Sequence, residues 1–294
     1  MSLERLSKQK FKHLDRMGAT IESEILKAYK SSLRVIRNTL SEYASKYELT
    51  MIEMQKYNRL QGLEKDVVIE LRKLKGKTSS KVMQGLQNIY EEGYYRTAFE
   101  IERSVQAKLS FSKLNKTAIR RAIENPLMNL AIDRNRNNVI VNINQAISQG
   151  LIRGSSYLEI SKGVKEALEQ NANNALRIAR TETHRVQVES TFDSMKHAEN
   201  IGVKFKKRWL STLDRNTRDS HQSLDGEEVG LDEKFSNGLL YPGDPAGEPS
   251  EIINCRCEMI QVVSGYEPEF RRSRREGIIP YTNYREWKEN RLVG

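Results

Sequence analysis

The sequence predicts an α+β protein, in which a mostly α-helical N-terminal bundle or extended helical arm precedes a small, loop-rich α+β domain. The first 125 residues contain no proline, and their apolar side chains recur at helical spacing. After Gly202 the chain alternates apolar and polar residues and becomes rich in Gly, Pro, Asn and Asp. Only 37% of the 294 residues are hydrophobic, which favours elongated helices over one thick core.

The N-terminal segment, residues 1–125, is predicted as a helical bundle or arm with a heptad seam. Apolar residues three and four apart lie on one face of a helix and pack against a neighbouring helix. A second helix is predicted over 50–76, where Gly76 acts as the C-terminal cap, and a third over 79–109. The residues of the seam are Leu26, Tyr29, Leu33, Ile36, Leu40, Tyr43 and Tyr47.

The next segment, residues 126–202, is predicted as a helical region that leads into the core domain. Pro126 is expected to end a short helical piece, because proline restricts the residue before it. Ser156 and Glu159 have the spacing of a capping box at the start of a helix, and Gly202 is expected to end a long one. Helices are predicted over 138–154, 155–170 and 171–202.

Residues 203–264 are predicted as the small α+β domain, and residues 265–294 as a basic C-terminal tail. The alternating, β-prone stretch 203–212 predicts a strand, and 213–226 a helix of one or two turns. Residues 227–251 are predicted as loop because Gly, Pro, Asn and Asp dominate them, and 254–264 as a second strand.

The chain carries a formal net charge of +10 and has a pI near 9.4, which favours a polyanionic partner such as DNA. The alternative is that Lys and Arg simply coat the exterior. The opening lacks the apolar core of a signal peptide, and no apolar run can span a bilayer, so we expect synthesis in a host cytoplasm and no membrane partner. Candidate DNA contacts are Lys204, Lys206, Lys207, Arg208, Arg271, Arg272, Arg274 and Arg275.

The only two cysteines, Cys255 and Cys257, are expected to point to the same face of the second strand, with Arg256 on the opposite face. A disulfide between them has poor geometry. Two interpretations stay open: buried cysteines that pack without any cofactor, or two thiolates of a zinc site with His221 as the third ligand. The fourth ligand is then Asp214, Asp219 or Asp225, or is absent.

The short predicted helix and its flanks contain several charged residues, but their spacing matches no known catalytic motif. Arg218 and His221 share a face, Asp225 follows one turn later, and Asp214 is expected to cap the helix. No nucleophile elbow, phosphate-binding glycine loop or spaced carboxylate pair accompanies them. We therefore predict no catalytic residues and interpret the group as ion pairs and caps that fix a loop-rich domain.

An ordered set of residues carries a family resemblance over about residues 150 to 264. The set begins on a helix, continues through a tryptophan strand and a short helix, and ends at the cysteines. Its members are Arg180, Thr181, Glu182, Trp209, Asp214, Arg218, His221, Leu224, Asp225, Gly226, Pro242, Pro245, Asn254, Cys255, Arg256 and Cys257. In this order they resemble the Mu F-type minor head proteins of tailed bacteriophages, also called phage head morphogenesis proteins.

The resemblance implies a non-enzymatic virion protein that is present in few copies inside the capsid near the portal. Such a protein associates with the portal protein during head assembly and can influence DNA ejection. It implies contact with phage genomic DNA without sequence specificity, and major capsid or scaffolding protein as a further partner.

Two other functions compete with this one. The first is a metal-dependent or ADP-ribosyl-transferase-like enzyme or effector that uses His221, Arg180 and Glu182. Arg180 and Glu182 are two residues apart and do not share a helix face, which disfavours joint action. The second is a helical scaffold or spacer that self-associates through the seam from Leu26 to Tyr47.

Overall fold

The computed structural model describes residues 3–111, 113–263, 270–273 and 277–282, and it confirms the α+β class. Long helices form most of the chain, and a small antiparallel sheet follows them. The helices are α1 (Leu3–Lys46), α2 (Met51–Gln55), α3 (Arg59–Val105), α4 (Lys116–Ile123), α5 (Pro126–Arg153), α6 (Tyr157–Asn200), α7 (Asp219–Gln222) and α8 (Pro249–Ile252). The strands are β1 (Phe205–Leu210), β2 (Glu228–Gly230), β3 (Glu258–Val263), β4 (Phe270–Ser273) and β5 (Gly277–Pro280).

Helix α3 runs through Gly76, so the prediction that this glycine caps a helix is wrong. A glycine inside a helix costs about 1 kcal/mol, which packing against neighbouring helices can offset. The actual break lies earlier, in a 3-10 turn at Lys56–Asn58, where Tyr57 and Asn58 have positive φ values of 51° and 54°.

Helix α5 begins at Pro126, where the sequence predicted a helix end. Asn125 is the N-cap, and its side-chain oxygen accepts a hydrogen bond from the Leu127 amide at 3.0 Å. Proline suits the first helical position because its missing N–H would have no helical acceptor there.

Helix α6 is continuous, whereas the sequence predicted two helices that meet at residue 171. The Asn171 side chain donates to the Ala167 carbonyl at 2.8 Å, a bond within one helix, so this asparagine does not interrupt it. Both predicted ends are confirmed. Ser156 and Glu159 form the capping box, with Ser156 N–H donating to Glu159 at 2.7 Å, and Gly202 follows the last turn with a φ of 101°.

The main sheet has strand order β2-β1-β3, and both pairings are antiparallel. Trp209 lies opposite Met259 and Arg208 lies opposite Glu228. The first predicted strand is confirmed as β1. The second predicted strand is shorter than expected, because β3 begins at Glu258 and both cysteines precede it. The sequence missed β2 and α8 inside the predicted loop, and the β4–β5 hairpin inside the predicted tail.

The chain divides by its internal contacts into two units, each built from separate stretches. We call residues 19–85 and 125–180 the helical unit, and the described residues of 1–18, 86–124 and 181–294 the sheet unit. Helices α1, α3 and α6 contribute to both units. The predicted four-part division of the chain stays a prediction.

The helical unit has an aliphatic core. Ile36 and Leu40 from the predicted seam are buried, together with Ile25, Leu71 and Ile143. Leu26, the first residue of the seam, is 38% exposed, because the buried face of α1 runs through Ile21 and Ile25 and not through Leu26. The helix is therefore as predicted, while its buried stripe is rotated by one residue at this end.

The sheet unit has two apolar clusters at opposite ends of β1. Phe205 belongs to the first, with Phe192 and Met259, and Trp209 belongs to the second, with Phe235. Lys207 points to the same face between them because side chains two apart on a strand share a side. Its ammonium group donates to the Leu231 carbonyl at 2.7 Å and lies over the rings of Phe192 and Phe235.

None of the helices in the described part of the chain contains a stretch that is both long and apolar enough to cross a bilayer.

Candidate functional site

The candidate site lies around Trp209, near the end of β1, and in the loops that follow this strand. This side chain is fully buried and makes edge contacts with Phe235 and with His221, whose ring centroids lie 5.1 and 5.3 Å away. The Trp209 carbonyl accepts a hydrogen bond from the Gly226 amide at 2.9 Å. Gly226 has a φ of 85°, a left-handed conformation that favours glycine. This hydrogen bond between two signature residues, Trp209 and Gly226, closes the loop that carries α7 back onto the sheet.

Asp214 and Arg256 form a two-bond ion pair that joins the loop after β1 to the cysteine segment. Arg256 Nη2 lies 2.9 Å from Asp214 Oδ1, and Nη1 contacts the other carboxylate oxygen. Asp214 also accepts from the Asn216 amide at 2.9 Å. Burial raises the pKa of Asp214, but the hydrogen bonds and charge of Arg256 outweigh it and hold that pKa below its usual value.

The structure corrects the predicted cap of the short helix. Helix α7 has only four residues, its N-cap position is Arg218, and no side-chain hydrogen bond caps it. Asp214 instead stabilises the turn that precedes α7. Arg218 donates to the Ile253 carbonyl, and Asp225 accepts from the Ser211 amide at 2.7 Å. Asp214 therefore holds its loop through an ion pair, whereas Arg218 and Asp225 hold theirs through hydrogen bonds to the backbone.

Cys255 and Cys257 point to the same side although they do not lie in a strand. Both thiols are free and buried, and the His221 Nδ1 atom lies 3.7 Å from Cys255 Sγ and 3.4 Å from Cys257 Sγ. Arg256 between them faces away toward Asp214, so the expected alternation holds through the loop geometry. Asn254, just before the pair, has a φ of 56°, a left-handed conformation that asparagine tolerates.

The ligand atoms of His221, Cys255 and Cys257 all lie within 4.8 Å of one another, and we call these residues the histidine–cysteine cluster. The hydrogen bond between the thiols, together with burial, raises the pKa of Cys255. The same hydrogen bond lowers the pKa of Cys257 well below its usual value, against burial and with help from His221.

Glu251 completes the surroundings of His221, and the sequence did not single it out. Its Oε2 lies 2.9 Å from His221 Nε2, and the Ser220 hydroxyl donates to the same carboxylate at 3.1 and 3.2 Å. Glu251 lies 30 residues after His221, on helix α8, inside a stretch that was predicted as loop. No local pattern could have revealed it.

His184 is a second residue that the sequence did not single out. Its Nε2 atom lies 2.7 Å from the Cys257 carbonyl, which ties α6 to the cysteine segment. A Cβ atom at Gly243 would lie only 3.2 Å from the His184 Nδ1 atom, and Gly243 has a φ of 84°. Glycine therefore lets the proline-rich loop approach this histidine.

Each member of the Arg180, Thr181 and Glu182 run has a different partner. Arg180 is exposed and pairs with Glu22 at 2.5 Å within the helical unit. Thr181 accepts from the Asn254 amide at 3.2 Å. Glu182 is buried and pairs with Arg185 at 2.8 Å, and Arg185 also donates to the Ala122 carbonyl at the end of α4.

The candidate DNA contacts separate by exposure. Lys204 and Lys206 are exposed. Lys207 is buried as described above, and the buried Arg208 donates to Glu228 at 2.7 Å, so these two are not available to a phosphate backbone. Arg271 and Arg272 are residues of strand β4, whereas Arg274 and Arg275 fall outside the described residues.

Comparison with known proteins identifies relatives of the whole chain. The family described as "Phage Mu protein F like protein" matches residues 141–260, which include every residue of the candidate site. The minor head protein GP7 of Bacillus phage SPP1 is 32% identical over 296 residues, a match that covers 95% of this chain and 96% of that protein.

Two further relatives are covered only in part. A protein of Enterococcus faecalis named NAD(+)–arginine ADP-ribosyltransferase EFV is 31% identical over 281 residues, which make up 92% of this chain but 57% of that protein. The uncharacterized protein YqbB of Bacillus subtilis is 28% identical over 138 residues, which make up 43% of this chain and 44% of that protein. No solved structure matches the chain.

Proposed function

Because the chain belongs to the family of phage Mu protein F like proteins, we propose that it is a minor head protein that binds the portal protein and packaged DNA during head assembly. Family membership supports a role in head morphogenesis and a place in the virion. The observation that carries the proposal is the match to a minor head protein over 96% of that protein's length. We place the chain inside the capsid near the portal, in low copy, where it influences DNA ejection.

The membership fits a protein that is not an enzyme, and the contacts of the signature residues agree with it. Asp214, Asp225 and Arg256 each hold a loop through hydrogen bonds. The relative named as an ADP-ribosyltransferase extends well beyond the part that this chain matches, so its activity is not carried over. The alternative enzyme set is also divided, since Arg180 and Glu182 are engaged by Glu22 and Arg185.

The portal contact is proposed for the end of the helical unit that carries exposed apolar side chains. Ile52 and Tyr57 lie before α3, and Ile152 and Leu158 flank the α5–α6 turn; all four are at least 69% exposed. Helix α2 contacts α5, and Arg37 in α1 donates to Ser161 at the start of α6; from these contacts we infer that both turns lie toward one end of the unit. We call these four residues the apolar tip. Large apolar side chains in one exposed region are typical of a protein interface.

The DNA contact is proposed for Lys204 and Lys206, which are the exposed members of the basic run. A lysine that neutralises a phosphate releases a counterion, so binding weakens with salt and does not depend on base sequence. The excess of 49 Lys and Arg over 39 Asp and Glu supports such a partner.

The test of location is quantitative mass spectrometry of proheads and mature virions, together with co-purification with the portal protein. We expect few copies per head and a complex that survives purification. The double variant Ile152→Asp with Leu158→Asp is expected to lose the complex, while an exposed pair elsewhere on the helical unit, Lys30→Gln with Lys73→Gln, keeps it. Absence of the protein from proheads would refute the proposal, and an intact complex of the aspartate variant would refute the proposed portal contact.

The DNA part is tested by measuring affinity for random-sequence duplex DNA as a function of salt. For Lys204→Gln with Lys206→Gln we expect the slope of log affinity against log salt to shrink by about 0.9 for each phosphate that the protein no longer neutralises. The control pair Lys30→Gln with Lys73→Gln removes the same charge from the helical unit and is expected to keep the slope. Equal decreases in both variants would show that charge alone, and not this strand, governs the affinity.

A further inference from the structure

We propose that the histidine–cysteine cluster is a zinc site, in which His221, Cys255 and Cys257 supply three of four ligands. The His221 Nδ1 atom lies 3.4 Å from Cys257 Sγ and 3.7 Å from Cys255 Sγ. In a tetrahedron with a Zn–S bond of about 2.3 Å and a Zn–N bond of about 2.0 Å, the nitrogen–sulfur edge is about 3.5 Å. The two nitrogen–sulfur separations in this structure bracket that edge, and the three ligand atoms all lie within 4.8 Å of one another.

The donor set selects the metal. Two cysteine sulfurs and one imidazole nitrogen suit a borderline-soft ion such as Zn²⁺, whereas Mg²⁺ and Ca²⁺ require oxygen ligands. Among the described residues, the His, Cys, Asp and Glu side chains whose ligand atoms lie close enough together to hold one metal ion are these three. None of the predicted fourth ligands, Asp214, Asp219 and Asp225, has an oxygen in this group, so we assign the fourth position to a water molecule.

The surroundings of His221 resemble those of a metal-binding histidine. Its Nε2 atom faces the Glu251 carboxylate at 2.9 Å, and a carboxylate accepts the Nε2 proton and leaves the Nδ1 lone pair directed at the sulfurs. The Ser220 hydroxyl donates to the same carboxylate and holds it in place. The Ser220 hydroxyl and the Glu251 carboxylate thus fix the orientation of the His221 ring. Two buried thiols that only pack against their neighbours would not need a histidine held in this orientation.

The ion would connect segments that share few regular hydrogen bonds. His221 lies on α7, and the cysteines lie 34 and 36 residues later, just before β3. The intervening chain is mostly loop. Because the assembled ligand set exists only in the folded chain, zinc binding adds to the stability of this part of the sheet unit.

The first experiment is elemental analysis of the full-length protein, purified without chelator. We expect about one zinc per chain, and loss of the metal in Cys255→Ser with Cys257→Ser. Met259→Leu replaces a third buried sulfur, two residues after Cys257, and is expected to keep the zinc. Replacement of zinc by Co²⁺ should give thiolate-to-metal charge-transfer absorption in the wild type and in Met259→Leu.

A second variant keeps the test decisive if the serine variant fails to fold. Glu251→Gln is a substitution at a half-buried surface position that keeps an acceptor for His221 but removes the charge. Because Glu251 acts as a positioning residue, we expect metal affinity, measured against a chromophoric chelator, to fall by about 10- to 100-fold. Wild-type protein without zinc and without a cobalt spectrum would overturn the proposal, as would a serine variant that retains the metal or equal affinities of Glu251→Gln and wild type.

Discussion

The helical unit and the sheet unit bury different kinds of side chain. In the helical unit the core consists of aliphatic residues such as Ile36, Leu71 and Ile143. The carboxylate of Glu70 is also buried there, and it accepts a hydrogen bond from the neutral hydroxyl of Ser32 at 2.6 Å. In the sheet unit cations are buried as well. Lys10 pairs with Glu100 at 2.8 Å in a pair whose side chains are 2% and 3% exposed.

This difference has an energetic consequence. Aliphatic packing is non-directional and tolerates similar shapes, so single substitutions of comparable volume cost little. A buried cation is stable only while its partners are present, because an uncompensated charge in the interior costs several kcal/mol. We therefore expect substitutions of buried residues to cost more stability in the sheet unit than in the helical unit. Substitutions in each unit test that contrast.

The largest effect is expected for Arg185→Met in the sheet unit. Arg185 is buried, pairs with Glu182 and Glu189, and donates to the Ala122 and Ile123 carbonyls at the end of α4. Its removal leaves two carboxylates without their cation, and we expect a loss of about 3–5 kcal/mol in the free energy of unfolding. Chemical denaturation measures the loss, and hydrogen exchange in peptides from α4 shows where it acts.

Arg180→Met is the matched control for this prediction. Arg180 lies five residues earlier on the same helix, in the helical unit, and forms an exposed pair with Glu22. An exposed ion pair contributes at most about 1 kcal/mol. Similar losses in the two variants would contradict the contrast, and Glu182→Gln added to Arg185→Met should restore part of the stability.

A smaller effect is expected from pH at Glu189, which is also in the sheet unit. Burial raises the pKa of Glu189 to about 7, although the charge of Arg185 opposes it. The folded state then binds a proton that the unfolded chain releases above about 4.5, so this contribution is complete below that pH and is lost as pH rises through about 7.

The measurement compares wild type with Glu189→Gln by denaturation between pH 4.5 and 7.5. We expect the difference in free energy of unfolding, wild type minus variant, to fall by about 1–3 kcal/mol over this range. Ile143→Val, which changes no charge, serves as the control and should give a constant difference. A flat profile for Glu189→Gln would show that the carboxyl group titrates alike in the folded and unfolded chains.

The smallest effect is expected for Ile143→Val itself, in the helical unit. Ile143 is fully buried among aliphatic neighbours, and removal of one methylene group costs about 1 kcal/mol. Denaturation should show this loss without a change in metal content or DNA affinity. A loss as large as that of Arg185→Met would mean that the helical unit is no more tolerant than the sheet unit.

The elements that the sequence predicted well depend on neighbours along the chain. The Ser156–Glu159 capping box, the helix end at Gly202 and strand β1 were correct because each is encoded within a few residues. The predictions at Gly76 and Pro126 were wrong, since each residue has two local meanings and tertiary packing selects between them. The rotation of the buried stripe near Leu26 has the same cause.

The sequence by itself determined the α+β class, the order of the main elements and the signature that identified the family. It also grouped His221 with Cys255 and Cys257 as candidate ligands. Only the tertiary structure decided that Glu251 orients His221, that Lys207 is buried between two apolar clusters, and that Arg180 and Glu182 face different partners. The physical reason is range: helix caps and strand alternation act over a few residues, whereas the contacts of Glu251, Lys207 and Arg180 join positions 24 to 158 residues apart.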